Sequence, residues 1–283
     1  MRGFLADDTH LPRWPALDRW KDARYLLERV AGEGRVVPVE VGKSYDEEAW
    51  GQRIVPFDKF LAATGWHVPA TTTIRGNDED GEQEQGGVDV EDSLVDAPLY
   101  LAQHALFTQF PSLERDIALP DYVWSEPPTP PHAPQYTPPP DVLTNVWIGP
   151  GRHVVSPAHT DPYFNCYAQV LGSKRVWLAP PSAGPHMYAY GKDDERGDEA
   201  SEEEPAASTL ASEYMGNTST VPILRDGPLE PLRKRFPAFF EHVYPDALEA
   251  VLHSGDMLVM PPGWWHAMRG EGGNVCWSVS FWY

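Results

Sequence analysis

The stretch Asn165-Cys-Tyr-Ala-Gln-Val-Leu-Gly-Ser-Lys-Arg-Val-Trp-Leu178 holds two short runs, Asn165 to Leu171 and Arg175 to Leu178, separated by a Gly-Ser turn. Runs of this length, rich in β-branched and aromatic residues and bounded by glycine, read as strands. The same texture recurs at Val142 to Ile148, Asp256 to Met260 and Asn274 to Tyr283. A charged segment and a short helical one, Leu229 to Val243, interrupt the series. The second half of the chain is therefore expected to be an antiparallel β-domain, a jelly roll or barrel rather than a helical or Rossmann architecture. No Gly-rich phosphate loop follows any of these runs.

Working towards the N-terminus, Ser125 to Pro140 has eight prolines in sixteen residues and reads as an extended surface loop, since neither a helix interior nor a central strand tolerates them. Pro15 opens a segment with apolar residues at Leu17, Trp20, Tyr25, Leu26, Leu27 and Val30, close to helical period, with proline at a tolerated first-turn position. Pro56 to Ala63 and Pro98 to Phe110 also read as helices. The expected organisation is one unit over 1–283. In it, 1–124 form a helical and strand part on the substrate side, 125–140 the loop, and 141–283 the β core.

The 283 residues, 41% of them hydrophobic, suffice for a full core. The formal charge of -20 is concentrated: Asn77 to Asp92 carries eight acids and no base, and Lys192 to Glu204 eight acids against two bases. Such segments, poor in aromatics, read as solvated insertions in surface loops, here 77–92 and 191–205. Without a compensating Lys/Arg stripe, direct nucleic-acid binding is not expected. Apolar stretches such as Met257 to Met260 are far shorter than the roughly 20 residues of a spanning helix, and no secretory signal opens the chain. A soluble protein of nucleus or cytoplasm, without a membrane partner, is the expectation. Cys166 and Cys276 sit in apolar runs without Cys-x-x-Cys spacing and read as buried small hydrophobes.

The sharpest chemical feature is His159-Thr-Asp161. On an extended strand, residues i and i+2 share a face, so an imidazole and a carboxylate converge at one strand end. His266, presented after a Pro-Pro-Gly turn between aromatics, is the third ligand candidate. Two histidines and one carboxylate leave open positions on an octahedral metal, the arrangement of non-haem Fe(II) oxygenases. Lys174 lies 15 residues after His159 within a β-run. There it is costly unless exposed or paired with an anion, and a dicarboxylate would be such a partner.

These motifs, with Tyr100-Leu-Ala-Gln-His, Pro120-Asp-Tyr, Asn145-Val-Trp-Ile-Gly-Pro, Ser156-Pro-Ala-His-Thr-Asp-Pro, Gln169-Val-Leu-Gly-Ser-Lys174, Gly255-Asp256 and Ser278-Val-Ser-Phe-Trp282, give the chain its resemblance. It resembles the JmjC-domain Fe(II)/2-oxoglutarate dioxygenases, and within them the JMJD5-type hydroxylases. The resemblance runs from about Trp14 to Tyr283 and implies a cupin-like double-stranded β-helix (jelly roll), mainly β with flanking helices. It implies iron held by His159, Asp161 and His266, with O2 and 2-oxoglutarate as cosubstrates. It further implies that Lys174, with Tyr100, Ser156 and Asn165 as hydrogen-bond partners and Trp282 nearby, binds 2-oxoglutarate. Glu40, Tyr45, Trp50 and Trp147 match positions of an arginine-binding cage, where a carboxylate pairs with guanidinium and aromatic faces stack on it. Aromatic cages also bind methyl-lysine. The strand that the family places before Trp14 is not visible in Met1 to Arg13, which leaves the completeness of the sheet open, a truncated gene model being one reading.

The leading functional expectation is hydroxylation of a protein or peptide side chain, arginine foremost, with release of succinate and CO2. Histone N-methyl-lysine demethylation uses the same chemistry. Hydroxylation of a tRNA base is disfavoured by the acidic surface. A non-catalytic cupin-like interaction module is the reading from outside enzymology, and the intact His159, Asp161, His266 and Lys174 weigh against it.

Overall fold

The β-rich runs pair as antiparallel ladders in two sheets. The computed structural model describes residues 1–7, 12–30, 35–45, 50–68, 97–152, 154–191, 215–272 and 275–283, so both acidic segments lie outside the described residues. The strands are β1 Val36–Val41, β2 Gly51–Pro56, β3 Leu99–His104, β4 Leu143–Gly149, β5 Val155–Thr160, β6 Asn165–Leu171, β7 Ser173–Ala179, β8 Leu248–His253, β9 Met257–Met260, β10 Trp265–Glu271 and β11 Cys276–Trp282. One sheet runs β2-β1-β3-β4-β11-β6-β9 and the other β5-β10-β7-β8. β6 and β7 therefore belong to different sheets, and the Gly172-Ser173 step is a corner between them. Gly172 has φ +71°, and a Cβ there would lie 2.4 Å from the Val275 carbonyl oxygen, so both conformation and space require glycine.

Strand alternation explains how the large sheet serves two layers. On β11, Trp277, Val279 and Phe281 join the core shared with the helices, while Ser278 and Ser280 are fully buried without joining it. Trp277 stacks on Trp20 at 4.2 Å and meets Trp66 edge-on at 6.0 Å. Buried aromatic pairs of this kind contribute about 0.5–1.5 kcal/mol beyond their area. Asp116 ties the N-terminal helices to this layer, accepting hydrogen bonds from Arg19 (2.8 Å), the Trp20 indole (3.0 Å) and the Tyr25 hydroxyl (2.7 Å). With the helices packed outside the two sheets, the architecture is the expected mainly-β fold with flanking helices.

Two expectations need correction, and a third, the missing strand before Trp14, holds among the described residues. Pro98 to Phe110 is not one helix: Leu99–His104 is β3, paired with β1 and β4, and only Leu106–Gln109 is helical. A short apolar run with three consecutive buried residues, Leu99, Tyr100 and Leu101, is ambiguous by periodicity, and the neighbouring strands decide it. Leu229 to Val243 divides into helices Leu229–Arg235 and Pro237–His242, because Pro237 donates no N–H and restricts Phe236 before it. Upstream of Trp14 the described residues hold no strand, yet β9 does not end bare. Met1 exchanges both backbone hydrogen bonds with Met257, at 2.7 and 3.0 Å, before the chain turns into the 3-10 helix Phe4–Ala6.

Candidate metal centre and substrate cleft

His159 near the end of β5 stands directly opposite His266 on β10, and Asp161 follows just past the strand end. The imidazole centroids are 4.3 Å apart. Asp161 turns one carboxylate oxygen to each ring, 3.7 Å from His159 Nε2 and 3.5 Å from His266 Nε2. Donor atoms of the three residues all fall within 4.8 Å of one another. Each Nδ1 is already committed to the backbone carbonyl two residues earlier: Pro157 O at 2.8 Å for His159, Trp264 O at 3.0 Å for His266. An Nδ1–H donating to a carbonyl fixes the tautomer and leaves the Nε2 lone pair facing the carboxylate, as a divalent metal requires. Burial, with His159 alongside, lowers the His266 pKa to about 4, so that ring is neutral at pH 7. The donor set and its orientation fit an iron ion.

Behind the triad a small cavity is lined by Tyr100 from β3, Ser156 from β5 and Asn165 and Tyr167 from β6, along with the three donors. Lys174 is 3% exposed and reaches this wall indirectly, donating to the Tyr167 hydroxyl at 2.7 Å and the Tyr100 hydroxyl at 3.3 Å. Burial penalises its ammonium, but the neighbouring Tyr100 and Tyr167 oxygens more than offset this and hold its pKa above the ordinary lysine value. Burial also pushes both phenols up, so they are neutral and offer dipoles rather than charge. Among the described residues, no carboxylate is recorded as its partner. Asn165 Oδ1 is buried and unbonded at the same wall. A buried cation with no carboxylate partner beside a cavity is the complement of a small carboxylate, whereas Asn165 Oδ1, an acceptor, calls for a donor.

The triad also opens to a wider cleft lined by Glu40, Tyr45, Gln52, Trp147, Asn217 and Trp282, among others. Trp282 thus belongs to this outer cleft rather than to the small cavity, and its ring lies 5.8 Å from Tyr163. Burial raises the Glu40 pKa, opposed by the nearby Trp50 indole, whose N–H stops short of hydrogen-bond geometry. Trp50 lies beside Glu40 without lining the cleft. Trp147 packs against Tyr100 at 6.4 Å. The structure thus groups Glu40, Tyr45 and Trp147 in the cleft, with Trp50 behind.

Sequence reasoning missed Tyr167, Gln52 and Asn217. Tyr167 was legible, two residues after Asn165 and so on the same strand face. Gln52 became visible only through its pairing with Glu40 across β1 and β2. Asn217 donates to the Thr160 carbonyl at 2.9 Å from a segment that bridges β5 through Thr218.

A two-sheet β-fold with a His-x-Asp and a distant His converging at one end defines a cupin-like protein with three donors placed to hold a metal ion. Residues 7–283 match the cupin-like domain family, and the chain belongs to it. It is related over nearly its full length to Jumonji C proteins. It is 32% identical over 273 residues to Jumonji C domain-containing protein 5 of Drosophila melanogaster, covering 96% of this chain and 52% of that protein. It is 31% identical to Lysine-specific demethylase JMJ30 of Arabidopsis thaliana, covering 100% of this chain and 52% of that protein. For Lysine-specific demethylase 8 of Xenopus tropicalis the identity is 29%, covering 96% and 46%. The chain spans about half the length of these relatives. Among the described residues, no helix is long and apolar enough to cross a membrane.

Proposed function

We propose that the chain is an Fe(II)- and 2-oxoglutarate-dependent dioxygenase that hydroxylates a protein side chain, arginine foremost. The observation that carries this reading is the triad with both Nδ1 atoms tied back, next to a small cavity walled by Tyr100 and Tyr167, whose hydroxyls accept from the buried Lys174. In this reading His159, Asp161 and His266 hold the iron. Iron with 2-oxoglutarate supplies oxidative decarboxylation to succinate and CO2 and, from O2, one oxygen atom for a C–H bond. Lys174, aided by the Tyr100 and Tyr167 hydroxyls, Ser156 and Asn165, neutralises the distal carboxylate and fixes the cosubstrate's orientation. Trp147 and Tyr45 exclude water from the cleft and offer flat faces to a cationic side chain. Glu40 supplies the opposite charge that a guanidinium takes up through paired hydrogen bonds. We treat 1–283 as one JmjC unit.

The second reading, N-methyl-lysine demethylation, is favoured by the names of the Arabidopsis and Xenopus relatives and uses the same residues. The two are separated by mass spectrometry of arginine and methyl-lysine peptides incubated with the protein, Fe(II), ascorbate and 2-oxoglutarate. Gain of one oxygen on arginine is the expected result. Loss of a methyl group would make the protein a demethylase, and no succinate from either peptide would leave the non-catalytic cupin-like module.

A further inference from the structure

The large sheet ends in β2, and the outer side of β2 is open among the described residues. The β1–β2 register pairs Val36 with Pro56, Pro38 with Ile54 and Glu40 with Gln52. Phe57 N–H donates to the Arg35 carbonyl at 2.8 Å, which sets the alternation of the ladder. Val37 with Val55, Val39 with Arg53 and Val41 with Gly51 then exchange the bonds between the two strands. Pro38 and Pro56 fall at positions where no N–H is needed between these strands, which supports the same phase. The consequence is that Gln52 and Ile54 turn their backbone N–H and C=O groups outward, away from β1.

The side chains of this set share one face. At its cleft end stand Glu40 and Gln52, both lining the cleft. Next along the strands is an exposed apolar stripe of Pro38 and Ile54, then Val36 and Pro56. Ile54 is 66% exposed, an unusual residue to leave on an open strand edge, where charge or proline normally blunts pairing. Among the described residues, an unpaired edge and an apolar stripe thus run directly into the cleft that receives the reacting side chain.

We propose that the polypeptide substrate docks as an added strand on the free edge of β2, placing its modified residue opposite Gln52 and an apolar side chain two residues away against Ile54 and Pro38. The inference rests on the protein-hydroxylase reading and adds its specificity element: an extended substrate with a hydrophobic residue at the second position from the target. Strand pairing supplies backbone hydrogen bonds without regard to sequence, and the Ile54 stripe supplies the selection. The two-residue spacing follows from strand geometry, since side chains on one face repeat roughly every 7 Å.

The test uses the full chain and fluorescent serine-rich nonapeptides with a central arginine or methyl-lysine, carrying either leucine or serine at the second position on each side. Binding is read by anisotropy, without turnover. Leucine peptides are expected to bind about tenfold more tightly than serine peptides, an advantage that Ile54→Ser removes. Ile54→Pro, which deletes an outward N–H and no bond to β1, is expected to weaken the leucine peptide about tenfold at an unchanged unfolding temperature. Equal binding of the two peptide sets, no binding of either, or full binding by Ile54→Pro at intact stability would overturn the proposal. Selective leucine-peptide binding with no oxygen added to either peptide would sink the hydroxylase reading while leaving the docking edge in place.

Discussion

Replacing Lys174 by Met separates a cosubstrate ligand from a structural residue, because the two roles predict opposite changes. Lys174 is 3% exposed, and its ammonium rests on two neutral phenol oxygens at 2.7 and 3.3 Å. Desolvating an ammonium costs several kcal/mol even after relaxation. Two hydrogen bonds to a charged group return about 1.5–3 kcal/mol each at best. The cosubstrate-free protein is thus close to balance at this point. Methionine keeps the length of the chain and removes the charge, so the apoprotein is expected to be as stable as the parent or up to about 2 kcal/mol more stable. Cosubstrate binding moves the other way. A buried carboxylate deprived of its cation loses about 3 kcal/mol or more, two or more orders of magnitude in Kd. Calorimetric titration of 2-oxoglutarate into Mn(II)-loaded protein reads the second effect, and thermal unfolding of the metal-free protein reads the first. Mn(II) affinity itself should hold, since His159, Asp161 and His266 are untouched. A variant that melts well below the parent yet binds 2-oxoglutarate within about threefold would refute the reasoning and make Lys174 a structural residue.

Tyr167→Phe removes one of the two hydroxyls on Lys174 and should weaken 2-oxoglutarate by about 1 kcal/mol, measured in the same titration. Glu40→Gln is expected to weaken arginine peptides more than methyl-lysine peptides. Because burial raises the Glu40 pKa, arginine-peptide affinity should decline on acidification at a higher pH than an ordinary carboxyl would give, read by anisotropy across a pH series. Against burial, the backbone N–H groups of His253 and Gly3 and the Arg2 guanidinium lower the Asp256 pKa. The stability it contributes is present above the ordinary carboxylate value of about 3.9 and is lost as pH falls through the depressed folded value. Asp256→Asn should flatten that acid limb of the urea-unfolding midpoint and cost roughly 1–3 kcal/mol at pH 7. Trp20→Ala, which opens a hole beneath Trp277, should cost about 3–5 kcal/mol in the same unfolding measurement.

The parts of the molecule legible in the sequence are those in which local pattern and chemistry agree. β6 and β11 read as strands because apolar residues fill them, and the buried polar positions Asn165, Gln169, Ser278 and Ser280 alternate with that filling. His159 and Asp161 were legible as a pair because strand alternation alone puts them on one face. What stayed hidden depends on pairing. Tyr100 sits in a strand only because β1 and β4 flank it, and the four-residue apolar run Leu99 to Ala102 carries no period long enough to say so. The opposition of His266 to His159 across β5 and β10 is a register fact, as is the alignment of Gln52 with Glu40. The N-terminal residues complete β9 through Met1 alone, a contact too small to leave a strand pattern.

The central claim is that His159, Asp161 and His266 form an iron site that consumes 2-oxoglutarate. It is tested most directly by measuring succinate formed from 2-oxoglutarate by the Fe(II)-loaded chain under air, beside the Asp161→Ala variant at equal fold stability. The account predicts succinate from the parent protein and none above background from the variant. Equal succinate from both, or none from a parent shown to hold one metal ion at the triad, would contradict it.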